Sequence, residues 1–185
     1  MFSSISQQHP LRALFGELVQ TRLLGTAQLN DLPAARYIAG MLVDFCHVDN
    51  LYKIRNSRGK SLEDVGEMLI ASNPLLDGHS FIHEREVRKH IGDYTLFLTG
   101  IFPEYVARIH RQKMRLDSFV DYLKAGKESY SVVAAFDQFE FKDEAPLFRR
   151  LADRFELFVF GLNLVKQDLD RLQNPAYQQL GRMLS

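Results

Sequence analysis

The densest run of side chains able to do chemistry is His79-Ser80-Phe81-Ile82-His83-Glu84-Arg85-Glu86-Val87-Arg88-Lys89-His90, followed by Asp93. At about 100° per residue, His83, Glu86, His90 and Asp93 fall along one flank of a helix, beside an apolar face marked by Val87, Ile91 and Leu98. Carboxylates and imidazoles on one flank are the donors a divalent metal takes. A di-metal carboxylate bundle also needs inward Glu or His groups from other helices, typically with a Glu-x-x-His pair on two of them. No Glu-x-x-His occurs, and the nearest match is Asp44-Phe45-Cys46-His47. There Asp44 lies at the edge of the apolar stripe and His47 well round toward the polar side, so the two diverge. The metal candidates are therefore His83, Glu86, His90, Asp93 and Asp44. The simpler expectation is a solvated face laced by Glu84 with Arg88 and Glu86 with His90.

A second cluster is basic. Lys53, Arg55, Arg58 and Lys60 precede Ser61, which is placed to cap a helix, and a helix amino terminus favours an anion. Arg55, Arg58, Lys60 and Ser61 are the candidate anion ligands. Arg58-Gly59-Lys60-Ser61 has the ending of a phosphate-binding loop, but Ile54 stands where the first glycine belongs and no strand precedes it. Nucleophilic catalysis has no support: Gly-x-Ser-x-Gly is absent, and Cys46 reads as a small, inert core residue. Phe155, Phe158, Phe160, Tyr94, Phe97 and Phe102 could line an apolar pocket, although core packing explains them more simply.

Helices must position all of these groups. Leu11 to Leu24 reads as one amphipathic helix. Asn30 or Asp31 caps a second, with Pro33 in its first turn and Ala34, Ile38, Met41, Phe45, Val48 and Tyr52 in one stripe. A short helix runs from Ser61 to about Ala71, with Asp64 at the capping-box distance. Ser80 to Ile101 forms a longer one, broken at Pro103 and resumed through Tyr105, Val106 and Ile109. Leu116 to Phe136 follows, divisible at Gly126. Ala145 to Leu172 is the last long helix, and its wide apolar surface predicts a central place in the bundle. Asn174-Pro175 ends it, leaving a tail from Ala176. No segment alternates with period two and none repeats. The expected fold is all-α, a single-domain bundle of six to eight helices over residues 1–185.

Composition sets the outer bounds. The 185 residues are 46% hydrophobic, with 14 Phe and 7 Tyr, enough to fill a core without staples. Lys plus Arg equals Asp plus Glu at 23 each, so no uniform field draws the chain to nucleic acid. The longest apolar runs fall short of a membrane span. The first residues lack a secretory pattern, and a single cysteine suits a reducing, cytoplasmic setting.

The stretch from Glu84 through Val87, Gly92-Asp93-Tyr94 and Gly100-Ile101-Phe102-Pro103 to Glu104 resembles the hallmark of an uncharacterised family of bacterial all-helical cytoplasmic proteins. The likeness extends upstream through Tyr37 to Leu51 and the basic loop to Ser72, about half of the chain. It implies a bacterial cytoplasmic origin and supplies no catalytic residues. Gly92, Gly100 and Pro103 are poor surface-helix choices, and the two glycines, eight residues apart and on nearly the same face, would let another helix or a ligand approach the backbone closely. The function expected is a non-enzymatic binding or protein–protein interaction module, working through a protein partner or self-association and calling for no cofactor. A metal-dependent enzyme or sensor and an anionic small-molecule binder are the alternatives, and whether the chain is an enzyme stays open.

Overall fold

Caps and prolines set where each helix begins. In the computed structural model, which describes residues 10–56, 58–75, 80–111 and 120–184, ten α-helices form an all-α bundle with no sheet among the described residues. α1 (Pro10–Val19) winds directly into a π-helical stretch, Gln20–Thr26. Asp31 caps α2 (Leu32–Phe45) by accepting from the Ala34 N–H, with Pro33 in the first turn. α3 is the single turn Val48–Leu51. Asp64, rather than Ser61, caps α4 (Val65–Ala71).

Ser80 caps α5 (Phe81–Ile101), and α6 (Pro103–Ile109) restarts behind Phe102. α7 (Tyr122–Ala135) starts at Asp121 and runs through Gly126 unbroken, while the expected earlier start at Leu116 lies outside the described residues. α8 (Ala145–Asp153) and α9 (Phe155–Leu172) were expected as one helix. The chain turns between them at Arg154 (φ −118°, ψ 25°), whose guanidinium donates to the Leu29 carbonyl. The expected tail is α10 (Pro175–Met183), with Asn174 as its cap.

The centre of the bundle is α5 and not the last long helix. Every residue from His90 to Ile101 is buried, which a helix achieves only when neighbours surround it on all sides. α7 packs along one side of α5, α9 along another, and α4 and α6 also lie against it. Two glycines permit this. A Cβ on Gly92 would stand 2.5 Å from the Tyr130 ring of α7, and one on Gly100 would stand 2.6 Å from Leu162 of α9. The close approach expected at both positions is present, toward two different helices. Central placement leaves α9 with an outer face, so Leu157 and Phe160 are exposed there.

Candidate functional site

Asp93 is the only charged residue between His90 and Glu104, so the fold carries it inward with the apolar residues on either side. A buried carboxyl must find donors, and two tyrosines supply them. The Tyr37 hydroxyl of α2 donates to Asp93 Oδ1 at 2.5 Å and the Tyr130 hydroxyl of α7 donates to the same oxygen at 2.8 Å. Lys89, one turn earlier, reaches Oδ2 at 3.5 Å while its ammonium stands 5.2 Å from the Tyr37 ring centroid. Burial first, then the Asp93 charge, raises both phenols well above the usual tyrosine range, so both remain donors. One acid thus ties α2, α5 and α7 together.

His90 is equally buried and differently employed. A carbonyl can only accept, so the 3.1 Å contact between His90 Nε2 and the Leu51 oxygen fixes the tautomer that carries hydrogen on Nε2. Nδ1 is buried without a hydrogen-bond partner. Burial above all, then the nearby Lys53 charge, pushes the imidazole down to about 3. The unfolded chain protonates this ring near ~6.5. Stability from His90 is therefore complete above about pH 6.5 and declines as the pH falls toward the folded value, because only the unfolded state gains the proton. At about pH 5 the loss is about 2 kcal/mol. Urea unfolding at about pH 7.5 and about pH 5 should show that decline in the parent and much less of it in His90→Gln; equal declines would refute this role.

Arg85 is a third buried ionisable residue of α5. Its guanidinium lies 4.0 Å from the Phe141 ring centroid and donates to Glu144 at 2.7 Å. The solvated flank expected for 83–93 is therefore incorrect for Arg85, His90 and Asp93, all of which are buried.

The five metal candidates do not converge. Among the described residues no three His, Cys, Asp or Glu side chains are grouped to hold a metal ion. His90 is spent on Leu51 and Asp93 on the two tyrosines, Asp44 and Glu86 are exposed, and His83 is half-buried near the start of α5.

The basic loop is folded on itself. Arg55 and Ser61 form an isolated bridge, Arg55 donates to the Gly59 carbonyl, and Asn56 Oδ1 accepts from the Arg58 and Lys60 N–H groups. Those N–H groups are the donors an anion would use, and the helix that follows opens on the Asp64 carboxylate. Burial holds the Lys53 ammonium below the usual lysine range, within electrostatic reach of Asp93 and Glu86. The Arg58 and Lys60 backbone donors are thus taken up within the loop by Asn56.

Cys46 donates to the Leu42 carbonyl, and burial raises its thiol to about 11, which removes it as a nucleophile. Of the six aromatics, Tyr94, Phe97, Phe102, Phe155 and Phe158 are core residues and Phe160 is exposed. The gap beside Phe97, between Phe15, Leu42 and Leu180, holds about 10 Å³, room for one water. A groove of about 500 Å³ runs between Pro103 and Val106 of α6, Tyr122 and Leu123 of α7, and Val159 of α9. Of its polar groups, Thr99 donates to the Thr95 carbonyl, Asp121 caps α7 and His110 Nε2 is bonded to the Val120 carbonyl.

Known families, curated proteins and solved structures give no match to the chain.

Tyr37 and Tyr130 were not among the predicted site residues. The signal was Asp93 itself, a lone acid within an apolar run that had to meet hydroxyl or cationic donors on neighbouring helices. No helix among the described residues is long and apolar enough to cross a membrane.

Proposed function

We propose that this chain is a non-catalytic protein-interaction module of the cytoplasm, in which the ionisable groups hold the bundle together and an apolar end makes the contact. What carries the reading is Phe139, 90% exposed, together with Phe81 and Ile82 at 69% and 53%. Large apolar side chains standing in solvent on a folded domain are a mark of recognition surfaces. The buried carboxyl and imidazole chemistry supports it from the other direction, since Asp93 and His90 are engaged by Tyr37, Tyr130 and Leu51 and line neither the small gap beside Phe97 nor the groove beside α6.

Site-specific photo-crosslinking tests the reading. Benzoylphenylalanine at position 139 should give a discrete adduct in the producing cell, and the same group at Ile70, another exposed apolar position, should not. No adduct at 139, or identical adducts from both positions, would overturn it.

A further inference from the structure

The start of α5 and the turn before α8 meet through Arg85. Its guanidinium stacks on Phe141 and pairs with Glu144, and Phe141 stands edge-on to Phe136 with centroids 6.3 Å apart. At about 100° per residue, Phe81 lies about 40° from the direction of Arg85 and Ile82 about 60° to its other side, one turn nearer the end of the bundle. Both therefore face the same side as the turn that carries Phe139. The Phe139 backbone is left-handed (φ +52°), a conformation that strains a bulky residue, and the ring stands in solvent.

Charge along the turn that carries Phe139 is one-sided. Residues 137–144 include Asp137, Glu140, Asp143 and Glu144 against Lys142 alone, and Glu144 is the one of these acids that an ion pair, to Arg85, neutralises among the described residues. A two-fold contact between two copies would set this acidic rim against itself, and an anionic lipid surface or nucleic acid would be repelled in the same way. The complementary occupant is cationic at its edges and apolar in the middle.

Resting on the interaction reading above, we propose that the end formed by Phe81, Ile82 and Phe139 docks a basic amphipathic helix of a partner protein. Its apolar stripe would cover the three side chains, and its Lys and Arg flanks would meet Asp137, Glu140 and Asp143.

Fluorescence anisotropy with three labelled model peptides tests this: a Leu/Lys amphipathic helix, a Leu/Glu helix of the same pattern, and a Lys-rich peptide without an apolar face. The Leu/Lys helix should bind at least tenfold more tightly than either of the others. Phe139→Gly, which suits the left-handed backbone and so keeps the fold, should weaken it at least tenfold. The pair Glu140→Lys and Asp143→Lys should weaken it further and move the preference toward the Leu/Glu helix. Equal binding of all three peptides, or affinity unchanged by Phe139→Gly, would overturn the proposal. If the position-139 crosslink forms while the Leu/Lys helix fails to bind, the partner chemistry is wrong and the interaction reading stands. If the crosslink mass equals two copies of the chain, the docked helix is replaced by self-association.

Discussion

Replacing Asp93 by alanine is expected to lower the free energy of unfolding by about 3–5 kcal/mol, a large share of the ~5–15 kcal/mol that holds an ordinary domain together. Two hydroxyls on two other helices donate to one Asp93 oxygen, and both lose that acceptor at once, the Tyr130 hydroxyl in the fully buried interior. Each buried donor left unpaired costs about 1–3 kcal/mol, and Lys89 loses its partner as well. Tyr37→Phe and Tyr130→Phe should each cost less than Asp93→Ala, because either one leaves the other tyrosine still bound. Since both tyrosines use the same oxygen, their effects should be coupled in a double-mutant cycle by about 0.5–3 kcal/mol. Urea unfolding followed by circular dichroism at 222 nm reads all of these. An Asp93→Ala midpoint within error of the parent would mean that the two phenols have other acceptors. The triple replacement Asp93→Leu, Tyr37→Phe, Tyr130→Phe should recover much of the loss, as an apolar core of similar shape leaves no orphaned donor.

Gly126→Ala should destabilise even though alanine is the better helix former by about 1 kcal/mol. A Cβ at this position of α7 would fall on the Phe155 ring and on the Thr95 hydroxyl, which itself donates to the Ile91 carbonyl at 2.7 Å. Phe155 is fully buried, so the ring has nowhere to retreat, and we expect a net loss of about 1–3 kcal/mol. Gly40→Ala in the middle of α2 provides the contrast, because nothing lies within 4 Å of the added carbon there and its sign should be opposite. The same unfolding measurement decides both, and a stabilised Gly126→Ala would show that α5, α7 and α9 are less tightly packed than these positions imply.

Much of the helical order was legible in the sequence because apolar spacing and caps report it directly. Asp31 with Pro33, Ser80, and the break at Pro103 all stand where they were expected. Other boundaries were set by contacts that a one-dimensional pattern does not contain. No glycine or proline marks the turn at Arg154, which goes with a reach to Leu29 across the bundle. Asn174-Pro175 was read as an ending, yet the same pair is a cap followed by a first-turn proline, and it opens α10.

The candidate site was harder for a related reason. Periodicity ranks residues by polarity along their own helix, so it placed His90 and Asp93 on a wet flank. What lets them be buried is what other elements offer: the hydroxyls of Tyr37 and Tyr130 and the carbonyl of Leu51. The outer aromatics show the converse. Phe81 and Phe139 carry the same letter as core phenylalanines, and only the placement of α5 and of the turn at 139–141 leaves them outside.

The π-helical stretch Gln20–Thr26 has a bearing on how this chain tolerates changes of length. Arg22 there grips Asp168 through two hydrogen bonds of 2.6 Å, and Leu23 lies against Gly161, so the segment is anchored to α9 at its middle. A coil that closes on every fifth residue holds slack that ordinary winding does not. Losing one residue from it would let the helix tighten while the anchor stays near its place. The same deletion inside α5 would swing everything beyond it by about 100° and pull Asp93 away from its tyrosines. One end of the molecule can thus absorb an edit in register that its axis cannot.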